Sequence, residues 1–134
     1  MGQEGIVEPR TESVVIIGGA IIGSSIAWFL RELNFLGPIT VVERDPTYQR
    51  SSTALSAASI RTQFGTPVNV RMSLFGAQFL RSIQNRFGLE ASSGFVERGY
   101  FILGGSGSVE ARQAGIDIQR REGAAVVALS PEEA

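Results

Sequence analysis

From Val14 to Ile17 every position is apolar and β-branched, with no alternation of polar residues. Such a run predicts a short strand buried on both faces, as in a parallel sheet. From Ile22 the apolar residues fall at helical spacing: Ile22, Ile26, Phe29 or Leu30, then Leu33. Gly37 and Pro38 stop that helix, Ile39 to Val42 repeat the unbroken apolar run, and Glu43 closes it. The pattern predicts a βαβ unit whose first turn holds Gly18, Gly19 and Gly23.

The pattern weakens after Glu43. Arg44 to Arg50 is a polar connection containing Pro46, and Ser51 to Ser59 is a run of small and hydroxylated residues. That run suits either a loop offering hydroxyls to a ligand or a small-residue helix packed closely on its neighbours. Thr66 with Pro67 predicts a helix start. Met72, Phe75, Phe79, Ile83 and Phe87 then mark one face as core, to an end at Gly88. Phe95 to Leu103 reads as a strand, whole or broken at Gly99. Ser106 or Ser108 is a candidate cap for a helix through Arg121 with Gly123 after it, and Ala124 to Leu129 is a further candidate strand. Ser130, Pro131 and Glu133 form a capping-box signal just before the last residue. An unused helix start predicts that this is the N-terminal piece of a longer protein.

The glycine turn points to chemistry. A helix N-terminus offers N–H donors to a phosphate, and glycine lets the anion come close. The dinucleotide fingerprint places its glycines at Gly18, Ala20 and Gly23, so its middle position is alanine. Glu43, at the end of the second strand, is placed to accept from both hydroxyls of an adenosine ribose and to repel a 2′-phosphate. The bland alternative is a βαβ unit with no ligand. Another is a membrane span, since Val14 to Leu30 carries no charge. The run is at the lower length limit for a span and includes Gly18, Gly19, Gly23, Ser24 and Ser25, so a strand, turn and helix explain it better.

Composition narrows the chemistry. The chain has 134 residues, about one domain, and 43% hydrophobic composition supplies a core. A net charge of −1 gives no basic surface for nucleic acid or anionic membranes. Cysteine and histidine are absent, which removes disulfides, thiolate or Ser-His-Asp nucleophiles and histidine or cysteine metal sites; no metal site is expected. Every basic residue is arginine, so a Schiff-base or P-loop lysine is excluded too. Met1 to Glu12 contains no apolar signal core and reads as a disordered tail, in a cytoplasmic protein.

Val14 to Leu30, Val41 to Asp45, and Ser51-Ser52-Thr53-Ala54-Leu55-Ser56-Ala57-Ala58-Ser59-Ile60-Arg61-Thr62-Gln63-Phe64 together resemble the FAD-dependent D-amino-acid oxidase family. That family includes the sarcosine, glycine and dimethylglycine oxidases; within it the resemblance is strongest to the branch related to sarcosine oxidase β subunits, and Gly99 to Leu103 and Arg120 to Ala124 fit the same branch. The resemblance implies an α/β fold: a Rossmann-like FAD-binding portion over 13–94 and the start of a mixed α+β substrate domain over 95–134. It implies that Gly18, Gly19, Ala20, Ile22 and Gly23 face the FAD pyrophosphate, Glu43 the ribose and Arg44 the adenine. Ser51, Ser52, Thr53 and Ser56 are implied to line the pyrophosphate and ribityl chain. Ile60 and Arg61 are implied to lie near the isoalloxazine ring, where a cation stabilises charge on reduced flavin; an ordinary salt bridge for Arg61 is equally open. The implied reaction is oxidation of a C–N bond of a small amino acid or secondary amine, with oxygen or another protein as electron acceptor. Substrate-gripping residues are implied to come later than this chain. Ala20, Ala58 and Ser59 depart from the family by standing where relatives have glycine. They leave open a non-catalytic flavin-fold protein with an assembly or binding role. An NAD-binding module is the third reading, and the hydroxyl-rich segment before Ile60-Arg61 speaks against it.

Overall fold

The computed structural model describes residues 12–104 and 109–134. The expectations for the first eleven residues and for caps at Ser106 or Ser108 lie outside them. The chain divides into two compact units, Met1–Ser59 and Ile60–Ala134.

In the first unit, β1 (Val14–Ile17) leads through the glycine turn into α1 (Ile21–Glu32), which returns to β2 (Ile39–Val42). The strands pair in parallel, with Val14 opposite Ile39 and Ile17 opposite Val42. The Val14 N–H to Pro38 carbonyl bond (2.9 Å) and the Gly18 N–H to Val42 carbonyl bond (2.8 Å) extend the ladder at both ends. The βαβ expectation therefore holds. Burial on both faces does not: Ile16 is buried beneath α1, whereas Val15 and Ile17 on the opposite face are 63% and 89% exposed. A two-stranded sheet has one helix-covered face here, and period-two alternation sends neighbouring side chains to the other.

Helix α1 ends where Asn34 (φ 59°) turns the chain. The Asn34 N–H donates to the Arg31 carbonyl and the Phe35 N–H to the Leu30 carbonyl, the double bond pattern of a Schellman stop.

In the second unit, α2 (Pro67–Arg81) starts at Thr66, as the Thr-Pro pair predicts, although the Thr66 side chain makes no capping bond. The single helix expected through Phe87 is split into α2 and α3 (Ile83–Phe87). Ser82 is the cause: its hydroxyl donates to the Phe79 carbonyl at 2.7 Å and accepts from Arg86 Nε at 2.8 Å, so side-chain bonds compete with the helical ladder. The expected core stripe is also corrected. Met72, Phe75 and Phe87 are 66%, 55% and 46% exposed, and the helix instead buries Val70 and Ala77. Phe79 links the aromatics, stacked with Phe75 and edge-on to Phe87.

Helix α4 (Val109–Arg121) closes with the Gly123 N–H on the Arg120 carbonyl and the Ala124 N–H on the Gln119 carbonyl. Gly123, expected just past the helix end, occupies the turning position.

Neither expected strand of this unit is present. Phe95 to Leu103 is irregular: Gly99 has φ 76°, and the Tyr100 carbonyl accepts the Gln63 side chain at 3.2 Å instead of a neighbouring strand. Ala124 to Leu129 folds back on α4, with Arg120 Nε donating to the Val126 carbonyl at 2.8 Å. An apolar run becomes a strand only when another backbone lies beside it to complete the ladder. At the end, the Ser130 N–H donates to Glu133 Oε2 at 2.8 Å, half of the expected capping box, around a turn.

No helix of the described residues is long and apolar enough to cross a membrane, and they hold no cluster of potential metal ligands.

Candidate functional site

The site is built at the carboxyl ends of β1 and β2. Gly18 leaves β1 with φ 97°, and the chain enters α1 through Ala20, an N-cap without a capping side chain. The first turn of α1 contains no acidic residue, whereas Arg31 sits in its last turn. No side chain of α1 itself therefore caps its first N–H groups or brings an anion to its positive end; the anion beside that end is the Glu43 carboxylate, held on the Gly19 N–H. Gly23 makes the arrangement possible. A Cβ there would lie 1.8 Å from the Gly18 carbonyl oxygen, so the helix can press against the loop only with glycine at this position.

Glu43 reaches back from β2. Its Oε2 accepts the Gly19 N–H at 2.7 Å and its Oε1 the Asp45 N–H at 2.9 Å. The Asp45 N–H, followed by the Gly19 N–H, holds its carboxyl below the ordinary glutamate range. Ser24 adds a third tie, its hydroxyl donating to the Gly19 carbonyl at 2.6 Å. Asp45 itself is pushed down, first by the Thr47 hydroxyl and then by the Thr47 N–H.

A cavity of about 390 Å³ opens in front of the helix start, lined by Gly19, Ala20, Ile21, Ser24, Tyr48, Ser51, Thr53 and Ala54. Gly19, Ala20, Ser51 and Thr53 of the sequence-derived candidates thus face one space. Gly18 and Gly23 shape the turn behind it, and Ile22 is 71% exposed. Arg44 lines a different cleft, of about 450 Å³, with Asp45 and Arg50. Ser52 and Ser56 do not line the cavity; the Ser56 hydroxyl donates to the Thr53 carbonyl at 2.8 Å and accepts the Ala58 N–H at 3.1 Å. Ile60 and Arg61 begin the second unit, where the Arg61 guanidinium lies 4.9 Å from the centre of the Phe64 ring. Sequence reasoning missed Ser24 and Tyr48. Their signals are a serine in the first turn of the helix and the one aromatic residue in the polar stretch 44–50.

The donors, the close glycine approach and the lining hydroxyls fit the pyrophosphate of a dinucleotide. The profile of the FAD dependent oxidoreductase (DAO) family matches residues 13–134. The chain belongs to this family. FAD is accordingly its cofactor. Among curated relatives, the FAD-dependent oxidoreductase domain-containing protein 1 of Xenopus laevis is 40% identical over 136 residues, covering 96% of this chain and 27% of its own length. The Bos taurus protein of that name is 39% identical over 132 residues, covering 93% and 27%. The Drosophila melanogaster homolog is 41% identical over 112 residues, covering 83% and 22%. The chain thus spans about a quarter of the length of these relatives. No solved structure matches it. For a DAO-family chain, the uncapped start of α1 and the Ser51 and Thr53 hydroxyls are the groups suited to hold the FAD phosphates.

Proposed function

We propose that this chain is the N-terminal, cofactor-holding part of a DAO-family enzyme that oxidises a C–N bond of a small amino acid or secondary amine. One observation carries the cofactor half of the reading: the uncapped N-terminus of α1 borders an open, mainly apolar pocket of about 390 Å³ whose lining includes Ser51 and Thr53. The substrate half is supported by the sarcosine- and glycine-oxidase likeness of the segment Ser51 to Phe64. The chemistry FAD supplies in such an enzyme is acceptance of a hydride from the carbon beside nitrogen, with reoxidation by oxygen or another acceptor. In this reading the α1 N–H groups and the Ser51 and Thr53 hydroxyls bind the phosphates. Glu43, whose charged form its two N–H partners favour, accepts from the ribose hydroxyls, and Arg44 flanks the adenine. Arg61, beside Ile60, would supply a cation for negative charge on a bound isoalloxazine ring. Residues 13–94 form the Rossmann-like portion and 95–134 begin the substrate domain. The exposed Val15 and Ile17 face of β1 supports the presence of further layers in a longer protein.

The first experiment is the visible spectrum of the purified chain after FAD is added and the excess removed. Retained flavin bands support the cofactor half, and a colourless folded protein sinks it. For the substrate half, sarcosine, glycine and dimethylglycine are mixed anaerobically with the full-length flavoprotein. Bleaching by at least one is expected; none by any removes the proposed substrate class.

One observation favours a second reading, a non-catalytic flavin-fold protein with a binding or assembly role. Ala58 sits at φ 48°, a left-handed conformation that suits glycine. Tight FAD binding without bleaching by any amine is the outcome that selects it.

A further inference from the structure

The connection after β2 carries a residue in a backbone conformation that L side chains rarely adopt. Tyr48 has φ 58°, and non-glycine residues stay in this region only where their surroundings fix them. Two turns do so. The Tyr48 N–H donates to the Asp45 carbonyl at 3.0 Å, and its carbonyl accepts the Ser51 N–H at 3.0 Å. The Thr47 N–H and hydroxyl both bind Asp45 Oδ1, at 3.0 and 2.6 Å, anchoring the first turn at its start.

The strained backbone sends the phenol back over the glycine turn. Its hydroxyl oxygen is 2.9 Å from the point that a Cβ on Gly19 would occupy, so the approach needs glycine beneath it. The same side chain lines the cavity in front of α1 with Ala20, Ser51 and Thr53. The hydroxyl of Ser24, on the same wall, already donates its hydrogen bond to the Gly19 carbonyl. No hydrogen bond among the described residues takes up the Tyr48 proton, and a phenol adds a donor without adding charge.

We propose that Tyr48 is a cofactor-binding residue whose hydroxyl donates a hydrogen bond to the pyrophosphate of the dinucleotide at the Gly19–Ala20 turn. The assignment rests on the proposed cofactor role of that turn. It makes the connection between the strand and the hydroxyl-rich segment a wall of the binding site, held in place by its own turns.

The test compares the chain with Tyr48→Phe for binding of FAD, ADP and adenosine. Flavin fluorescence follows FAD, and NMR chemical shifts follow the other two. The variant keeps the ring and is expected to melt with the parent in the absence of ligand. It should bind FAD and ADP about tenfold more weakly, as loss of a hydrogen bond to a charged group requires, with adenosine unchanged. Equal affinity of parent and variant for FAD and ADP overturns the assignment and leaves the cofactor turn standing. A matching loss for adenosine places the hydroxyl on the ribose and overturns it as well. A parent chain that binds neither FAD nor ADP removes the cofactor reading itself, and this assignment with it.

Discussion

Glu43 and Gly19 are joined by a 2.7 Å bond from a backbone N–H at the end of β1 to a carboxylate at the end of β2. The second oxygen of Glu43 takes the Asp45 N–H. One side chain therefore fixes the glycine turn and the start of the following connection together. The acid proposed to meet the ribose also shapes the glycine loop.

This pairing has a defined pH dependence. The Asp45 and Gly19 N–H groups lower the folded value of Glu43 below the ordinary 4.5. Its stabilising contribution is thus present above that ordinary value and is lost as pH falls through the lower folded value. The stability gap between the parent and Glu43→Gln, from urea unfolding followed by Trp28 fluorescence, should be widest at neutral pH and narrow below about pH 4. A gap that stays constant into acid would show that the carboxylate does not hold these bonds.

Gly23 is the tightest point of the βαβ unit. An added Cβ would meet the Gly18 carbonyl at 1.8 Å and Ile16 Cγ2 at 3.1 Å. Gly23→Ala should destabilise the first unit by about 1–3 kcal/mol or more, seen as an earlier Trp28 unfolding transition. Gly76, inside α2 with nothing within 4 Å of its added Cβ, is the contrasting case. Gly76→Ala should raise the helix's stability by about 0.5–1 kcal/mol in thermal circular dichroism.

Ala58 occupies φ 48° with a Cβ. Ala58→Gly should stabilise the chain by about 1 kcal/mol, because glycine adopts this region without steric cost. Chemical denaturation of the two proteins decides the point, and a less stable glycine variant contradicts it.

Arg81 and Glu97 form a two-pronged pair in which each group favours the other's charged form. Their side chains are 52% and 56% exposed, so water and salt screen the attraction. A double-mutant cycle should return a small coupling that shrinks further at high salt. A larger, salt-insensitive coupling would mean that the pair is shielded from solvent.

The first unit was legible because its signals are local. An unbroken β-branched run, glycines before a helical period, and Gly37-Pro38 before a second run specify β1, α1 and β2 within a short span. The start of α2 at Thr66-Pro67 and the end of α4 at Gly123 were likewise set by neighbours a few residues away. Long-range decisions were not legible. Phe95 to Leu103 and Ala124 to Leu129 have strand composition, yet a strand exists only where a second backbone supplies its bonds, and none does so here among the described residues. The aromatic face of α2 and α3 was open to solvent because burial depends on what packs opposite, not on periodicity. At the site, sequence alone named the glycine turn, Glu43 and the hydroxyls. Only the tertiary structure decided that Glu43 binds Gly19 across 24 positions and that Tyr48 leans over the same glycine. Both relationships depend on parallel pairing, which brings the ends of β1 and β2 side by side, and no local pattern records which side chains then meet.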